Sequence, residues 1–182
     1  GMTVLGAACY RTAYQPVLRS RAELARAVLM QSQGLVSEAE AHYQRAARLD
    51  PYAPDAHIHL AKLYHGLWLA QPEAPAARQR LERFEQYQQE ALRLQKRSST
   101  AHRQAGYLYL TVFDGTARRR HIRQAAAALA RAVRLSPNSN ILHAELAWAE
   151  HLADNPTVAA QEAAEALRLD ALNPHREQKL KE

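Results

Sequence analysis

The sequence specifies an all-α protein built as a solenoid of stacked helix pairs, and two observations carry that reading. The apolar residues, 47% of the chain, are mostly Ala and Leu, both strong helix formers, while six glycines and 7% aromatics leave little material for a large β-sandwich. Short phrases also recur along the chain. Ala56-His57-Ile58-His59-Leu60-Ala61 lies over Ala101-His102-Arg103-Gln104-Ala105-Gly106, and His143-Ala144-Glu145-Leu146-Ala147-Trp148 continues the series. Ala46-Ala47-Arg48-Leu49-Asp50-Pro51 matches Ala132-Val133-Arg134-Leu135-Ser136-Pro137, with Ala91-Leu92-Arg93-Leu94 and Ala166-Leu167-Arg168-Leu169 related to both. Self-similarity of this kind marks a repeat array.

The elements follow in order. A first helix is predicted over residues 3–14, breaking near Pro16. Helix pairs then span 18–33 with 37–49, 54–68 with 74–96, 99–112 with 118–135, and 139–153 with 156–169. Gly34 supplies the turn inside the first pair. Residues 69–75 lengthen the loop of the second pair, and Phe113-Asp114-Gly115-Thr116 that of the third. A last helix starts at Pro174 behind Asn173 as its N-cap, and its run Arg176-Glu177-Gln178-Lys179 suits the polar cap that a solenoid end requires. The expected organisation is therefore an N-terminal helical segment over 1–20, a repeat array over 21–173 and a capping helix over 174–182.

These phrases resemble tetratricopeptide repeats, which recur every ~34 residues as two antiparallel helices. Ala39, Tyr43, Ala46 and Pro51 stand at the family spacing in the first unit, and Leu60, Ala61 and Tyr64 in the second. The third shows Ala105, Gly106 and Tyr109, then Ala125, Leu129, Ala132 and Pro137. The fourth shows Leu146 and Ala147, then Ala159, Ala163 and Ala166. Small residues belong where two helices cross closely, and Tyr or Leu fills the space opposite. The resemblance implies a right-handed α-α superhelix of about four pairs. The pattern departs from the family where His57, His102 and His143 replace an early Trp, and where the second unit ends Lys96-Arg97-Ser98 without its Pro.

Chemistry is hard to find in this chain. The net charge is +6, but the Arg residues are spread along helix faces near Glu or Gln, with dense runs only at Arg118-Arg119-Arg120 and around Arg78 and Arg80. No aromatic-interleaved basic motif is present, so no nucleic acid partner is expected, and nucleic-acid binding by the Arg-rich helix faces stands as an alternative reading. Cys9 stands alone and reads as an inert thiol. His57 and His59 are two apart and His59 and His65 six apart, spacings that do not put two ligands on one helical face. The histidines therefore read as packing and hydrogen-bonding groups between helices, and no metal is expected. Gly6, Gly34, Gly66, Gly106 and Gly115 are isolated, so no phosphate-binding loop forms. Glu38, Glu40, Glu82 and Glu85 read as ion-pairing residues on exposed faces. No catalytic residue and no cofactor are expected.

What remains is a binding surface for a protein or peptide. In the family resembled, the first helix of each pair lines a concave groove. The repeat register turns Asp55, His59, Lys62 and His65 outward in the second pair, Arg103, Gln104, Tyr107 and Leu110 in the third, and Glu145, Trp148 and His151 in the fourth. The expected partner-binding residues are His59, Lys62, Arg103, Tyr107, Trp148 and His151, with Tyr107 and Trp148 at the centre because aromatics with a polar edge make interface anchors. The alternative for both aromatics is packing against the neighbouring pair.

A second resemblance concerns the ends. The phrases Tyr10-Arg11-Thr12-Ala13-Tyr14-Gln15-Pro16-Val17, after an apolar stretch, and Leu169 to Leu180, with Asn173-Pro174-His175 at its centre, look similar to the repeat tails of bacterial O-antigen ligase and polymerase-like membrane proteins. That likeness implies that Val4 to Tyr10 ends a membrane helix and that the array faces the periplasm; otherwise the expectation is a cytoplasmic protein. Arg11, Arg19, Arg21 and Arg26 argue against the periplasmic side, since Arg beside a membrane helix favours the cytoplasm.

Overall fold

The computed structural model describes residues 10–172, and every regular element among them is helical. The chain divides into two compact units, Gly1–Leu94 and Gln95–Glu182.

In the N-terminal unit a π-helical turn, Tyr10–Tyr14, runs straight into α1 (Gln15–Ser32). Pro16 therefore does not break the chain as expected. It sits in the first turn of α1, directly after the π-helical turn, a position that proline tolerates. The rest of the expected first helix, 3–9, and the expected helix from Pro174 lie outside the described residues. Gly34 adopts φ +76, a left-handed conformation that reverses the chain into α2 (Val36–Leu49). The second pair is α3 (Asp55–Ala70) and α4 (Ala77–Leu94).

The core of this unit holds Tyr43, Leu60 and Phe84, all fully buried. Each such side chain contributes on the order of 2–3 kcal/mol through the apolar surface it removes from water. Side-chain hydrogen bonds fix the helices against one another. The buried Ser20 Oγ donates to the Ala46 carbonyl at 3.0 Å, joining α1 to α2, and the Tyr43 hydroxyl donates to Gln31 Oε1 at 2.7 Å. The Tyr64 hydroxyl of α3 donates to Glu40 Oε1 of α2 at 2.6 Å. Glu40 is thus a tie between pairs rather than a solvated surface acid.

The C-terminal unit contains α5 (Ser99–Thr116), α6 (Arg119–Leu135), α7 (Asn140–Leu152) and α8 (Pro156–Leu172). The first helix of each pair is opened by a serine cap: Ser98 Oγ accepts from the Ala101 N–H, and Ser139 Oγ from the Leu142 N–H. The loop expected over Phe113–Thr116 is helical. The helix carries through Thr116, whose hydroxyl donates back to the Val112 carbonyl at 2.7 Å, and the reversal falls on Ala117 at φ 52. Gly115 is an ordinary helical residue here. α8 likewise runs to Leu172, past the expected end at 169.

Gly106 of α5 crosses α6 so closely that a β-carbon there would lie 2.7 Å from Leu129 Cγ. This is the close crossing expected at the small-residue positions. On α6, Ala125, Ala128, Leu129 and Ala132 are buried, and Leu129 is the side chain that meets Gly106 of α5. His121 is fully buried at its start, with Nδ1 2.8 Å from Thr116 Oγ1.

Candidate functional site

The outward residues of the N-terminal unit are only partly free. His59 stacks flat on Tyr43, with ring centroids 5.0 Å apart and planes 8° from parallel. Burial holds its pKa below the ordinary histidine value, and the nearby Lys62 ammonium adds to the effect. Lys62 and Asp55 are exposed. His65, expected to face outward, is instead buried against Phe84, centroids 5.3 Å apart, because an aromatic pocket also formed by Trp68 takes it into the core. His65 leaves the candidate surface.

In the C-terminal unit α5 and α7 bring two expected groove residues, Arg103 and Tyr107, together with Glu145. Arg103 Nε lies 2.8 Å from Glu145 Oε2 and 3.0 Å from Oε1, and its Nη2 also donates to Oε1. The Tyr107 hydroxyl donates to the same carboxylate. The guanidinium stands 5.5 Å from the Tyr107 ring centre. The hydrogen bonds to Glu145 push the Arg103 pKa above its ordinary value, and burial first, then Glu145, raises that of the Tyr107 hydroxyl. Tyr107 keeps 44% of its surface exposed, so the cluster presents a ring edge and a neutralised ion pair to solvent.

Trp148, next to this cluster on α7, is 58% exposed and paired with His151, ring centroids 5.9 Å apart. Both border an apolar groove of about 560 Å³ between α7 and α8. Ala144 and Ala147 line it from α7, Ala159 and Ala163 from α8, with Leu167 at its edge. A floor of alanines lets another backbone approach closely, as small residues do at helix crossings. The structure thus groups Arg103 with Tyr107, and Trp148 with His151. His59 and Lys62 lie in the other unit. The groove itself was missed in the sequence, although its alanines are the repeat-signature positions Ala147, Ala159, Ala163 and Ala166 and their neighbours.

Other ionisable groups serve the packing. His143 meets Glu162 Oε2 through Nδ1 at 2.6 Å and the Pro137 carbonyl through Nε2 at 2.9 Å, tying α7 to α8. Among the described residues, no group of three or more His, Cys, Asp or Glu is placed to hold a metal ion, and no helix is long and apolar enough to cross a membrane.

No protein-family model and no curated protein matches the chain. Solved structures do. The thermophilic TPR protein TTC0263 of Thermus thermophilus superposes over 92% of this chain and 80% of its own, at 20% identity and a TM-score of 0.55. PilF of Pseudomonas aeruginosa matches over 87% of this chain and 64% of its own, at 17% identity and TM-score 0.55. MamA (MSR-1) matches over 84% and 78%, at 14% identity and TM-score 0.55. At these identities the likeness establishes the fold: an all-α array of tetratricopeptide-type helix pairs.

Proposed function

We propose that this chain is a non-catalytic interaction module that holds a polypeptide partner on the α7–α8 face of its C-terminal unit. One observation carries the reading. Trp148, a large aromatic, stays more than half exposed beside an apolar groove and a histidine. A contiguous exposed apolar surface with a polar edge marks a binding surface, and a tryptophan at its rim is a natural anchor. The Arg103–Tyr107–Glu145 cluster supplies a polar flank. In the N-terminal unit, His59 and Lys62 are the corresponding outward side chains.

The tetratricopeptide-type fold of the neighbouring structures supports an interaction role in general. A non-catalytic role is supported by the way acids and bases near the groove pair with one another: Arg103 with Glu145, His143 with Glu162, Arg168 with Glu165. Many cationic faces carry their own carboxylates in the same manner, as Arg78 does with Glu82 and Arg93 with Glu90, which weakens a nucleic-acid reading. The likeness of the chain ends to glycan-ligase tails gains no support from the comparisons.

A photo-crosslinking residue in place of Trp148 tests the proposal, with the same residue in place of the exposed Arg78 as control. In cells of the source organism the position-148 probe should give discrete polypeptide adducts that the position-78 probe does not. Identical adduct patterns, or none at 148, would overturn the assignment of this face.

A further inference from the structure

The first and last α-helices among the described residues, α1 and α8, are unfinished in complementary ways. α3, inside the N-terminal unit, buries seven of its residues, whereas α1 buries only Ser20 and Ala27. On the side of α1 opposite those two, Tyr14, Leu18, Ala25 and Leu29 follow one another at helical spacing, and all are exposed, with Val28 beside them. Leu18 and Leu29 each expose about half of their surface, at 51% and 52%. α1 therefore carries two apolar stripes, one against α2 and one facing solvent. At the other end of the chain α8 buries only Ala159 and Ala166, and the groove beside it has no helix of the described residues laid in it.

Charge matches shape. Residues 10–32 hold Arg11, Arg19, Arg21 and Arg26 against Glu23, a formal charge of +3. Residues 140–172 hold six carboxylates against the single Arg168, and Arg103 and Arg119 of earlier helices meet Glu145 and Asp154, which leaves a local charge of −3 in a chain whose total is +6. The acidic helix pair α7–α8 is thus the one with the open apolar groove, and a basic helix carries the open apolar stripe.

We propose that the occupant of the α7–α8 groove is helix α1 of a second copy of this chain, so that copies associate head to tail. This rests on the α7–α8 face being a binding surface and names its partner. In each unit of this fold, the first helix of one pair packs against the pair before it; α1 of an incoming copy would take that place after α8. Leu18 and Leu29 would enter the alanine-floored groove beside Trp148, with the arginines of α1 toward the carboxylates of the last pair. The contact is heterologous, because the two surfaces differ, and an open assembly keeps one free α1 face and one free groove, on different copies.

Two single-face variants test this: Leu18→Glu with Leu29→Glu on α1, and Ala163→Arg with Trp148→Glu in the groove, each checked for folding by circular dichroism. Sedimentation equilibrium of the unaltered chain should give a weight-average mass rising with concentration to at least twice the 20.4 kDa monomer, and falling back toward it in high salt. Each variant alone should remain monomeric. An equimolar mixture should form a 1:1 dimer and nothing larger, since one intact surface of each kind remains. A monomeric unaltered chain, association surviving in either variant, or a mixture that stays monomeric would overturn the proposal. The crosslinker at position 148 separates the two readings. Adducts twice the chain mass mapping to α1 support a second copy. Adducts with other polypeptides alone leave the interaction face standing and remove the self-association. A crosslink within one chain to residues 173–182 removes it as well.

Discussion

The Arg103 guanidinium and the Glu145 carboxylate, 42 residues apart, meet as a two-pronged ion pair across the step from one helix pair to the next. The contact joins the first helix of one pair to the first helix of the following one, and Glu145 is largely shielded, with 14% of its side chain exposed. Glu145→Gln should therefore destabilise the folded chain by about 1 kcal/mol, a value reduced for screening because 39% of the Arg103 side chain reaches solvent. Arg103→Lys should cost about as much, since an ammonium cannot fork onto both oxygens. Urea unfolding of both single variants and the double variant reads the pair directly. Costs that simply add would show that the two side chains do not act together.

Two glycines should respond oppositely to one added methyl group. Gly106→Ala drives a β-carbon into the buried Leu129, so it should lower stability by about 1 kcal/mol even after the gain in helix propensity. Gly66, exposed in α3, has open space where a β-carbon would go, and Gly66→Ala should raise stability by about 0.5–1 kcal/mol. Melting temperatures moving in the same direction would contradict the packing described at the α5–α6 crossing.

Acid should weaken the fold through its histidines. Burial lowers the pKa of His57, His59, His65 and His102 below the ordinary value of 6.5, so the folded chain favours their neutral form. As the pH falls below about 6.5 the unfolded chain takes up protons that the folded chain refuses, and stability present above that pH is progressively lost. The melting temperature should hold between about pH 8 and 7 and fall between about pH 6.5 and 5. His65→Phe, in its aromatic pocket, should make that fall shallower. A melting temperature flat down to about pH 5 would contradict the burial of these rings.

Tyr64→Phe isolates the tie between α2 and α3. It removes the hydroxyl that donates to Glu40 but leaves that carboxylate its bond from Gln44 Nε2, at 2.7 Å. The expected cost is about 1 kcal/mol, the net value of one partly buried hydrogen bond. A larger loss in guanidinium titrations would mean that the ring has also shifted from its stack on Tyr87, 5.8 Å away.

The helix pairs were legible because the same spacing that makes a repeat also makes a core. Ala39, Tyr43 and Ala46 recur at the interval that puts them on one face, and that face is fully buried. The turn after α5 was not legible. Phe113-Asp114-Gly115-Thr116 has the composition of a loop, yet Thr116 bonds back to Val112 and Ala117 takes the left-handed conformation that the sequence would assign to the glycine. His65 was misplaced because register alone cannot say that Phe84 and Trp68 close over it. The α7–α8 groove stayed hidden for a related reason. An alanine face reads alike whether another helix covers it or not, so Ala159 and Ala163 look the same as Ala125 and Ala132. Trp148 was identified as an outward residue because its neighbours' repeat positions fixed the face it occupies.

In both units the main packings join helices that are consecutive in the chain: α1 with α2, α2 with α3, α3 with α4, and in the same order from α5 to α8. Contacts between near neighbours in sequence need only short loops to close, and such topologies fold quickly. A chain of this kind has most of its partners for a given helix within reach as soon as the next helix has been synthesised. Within each unit the second pair can then dock on the first while the rest is still being made, and long unpaired intermediates are kept brief.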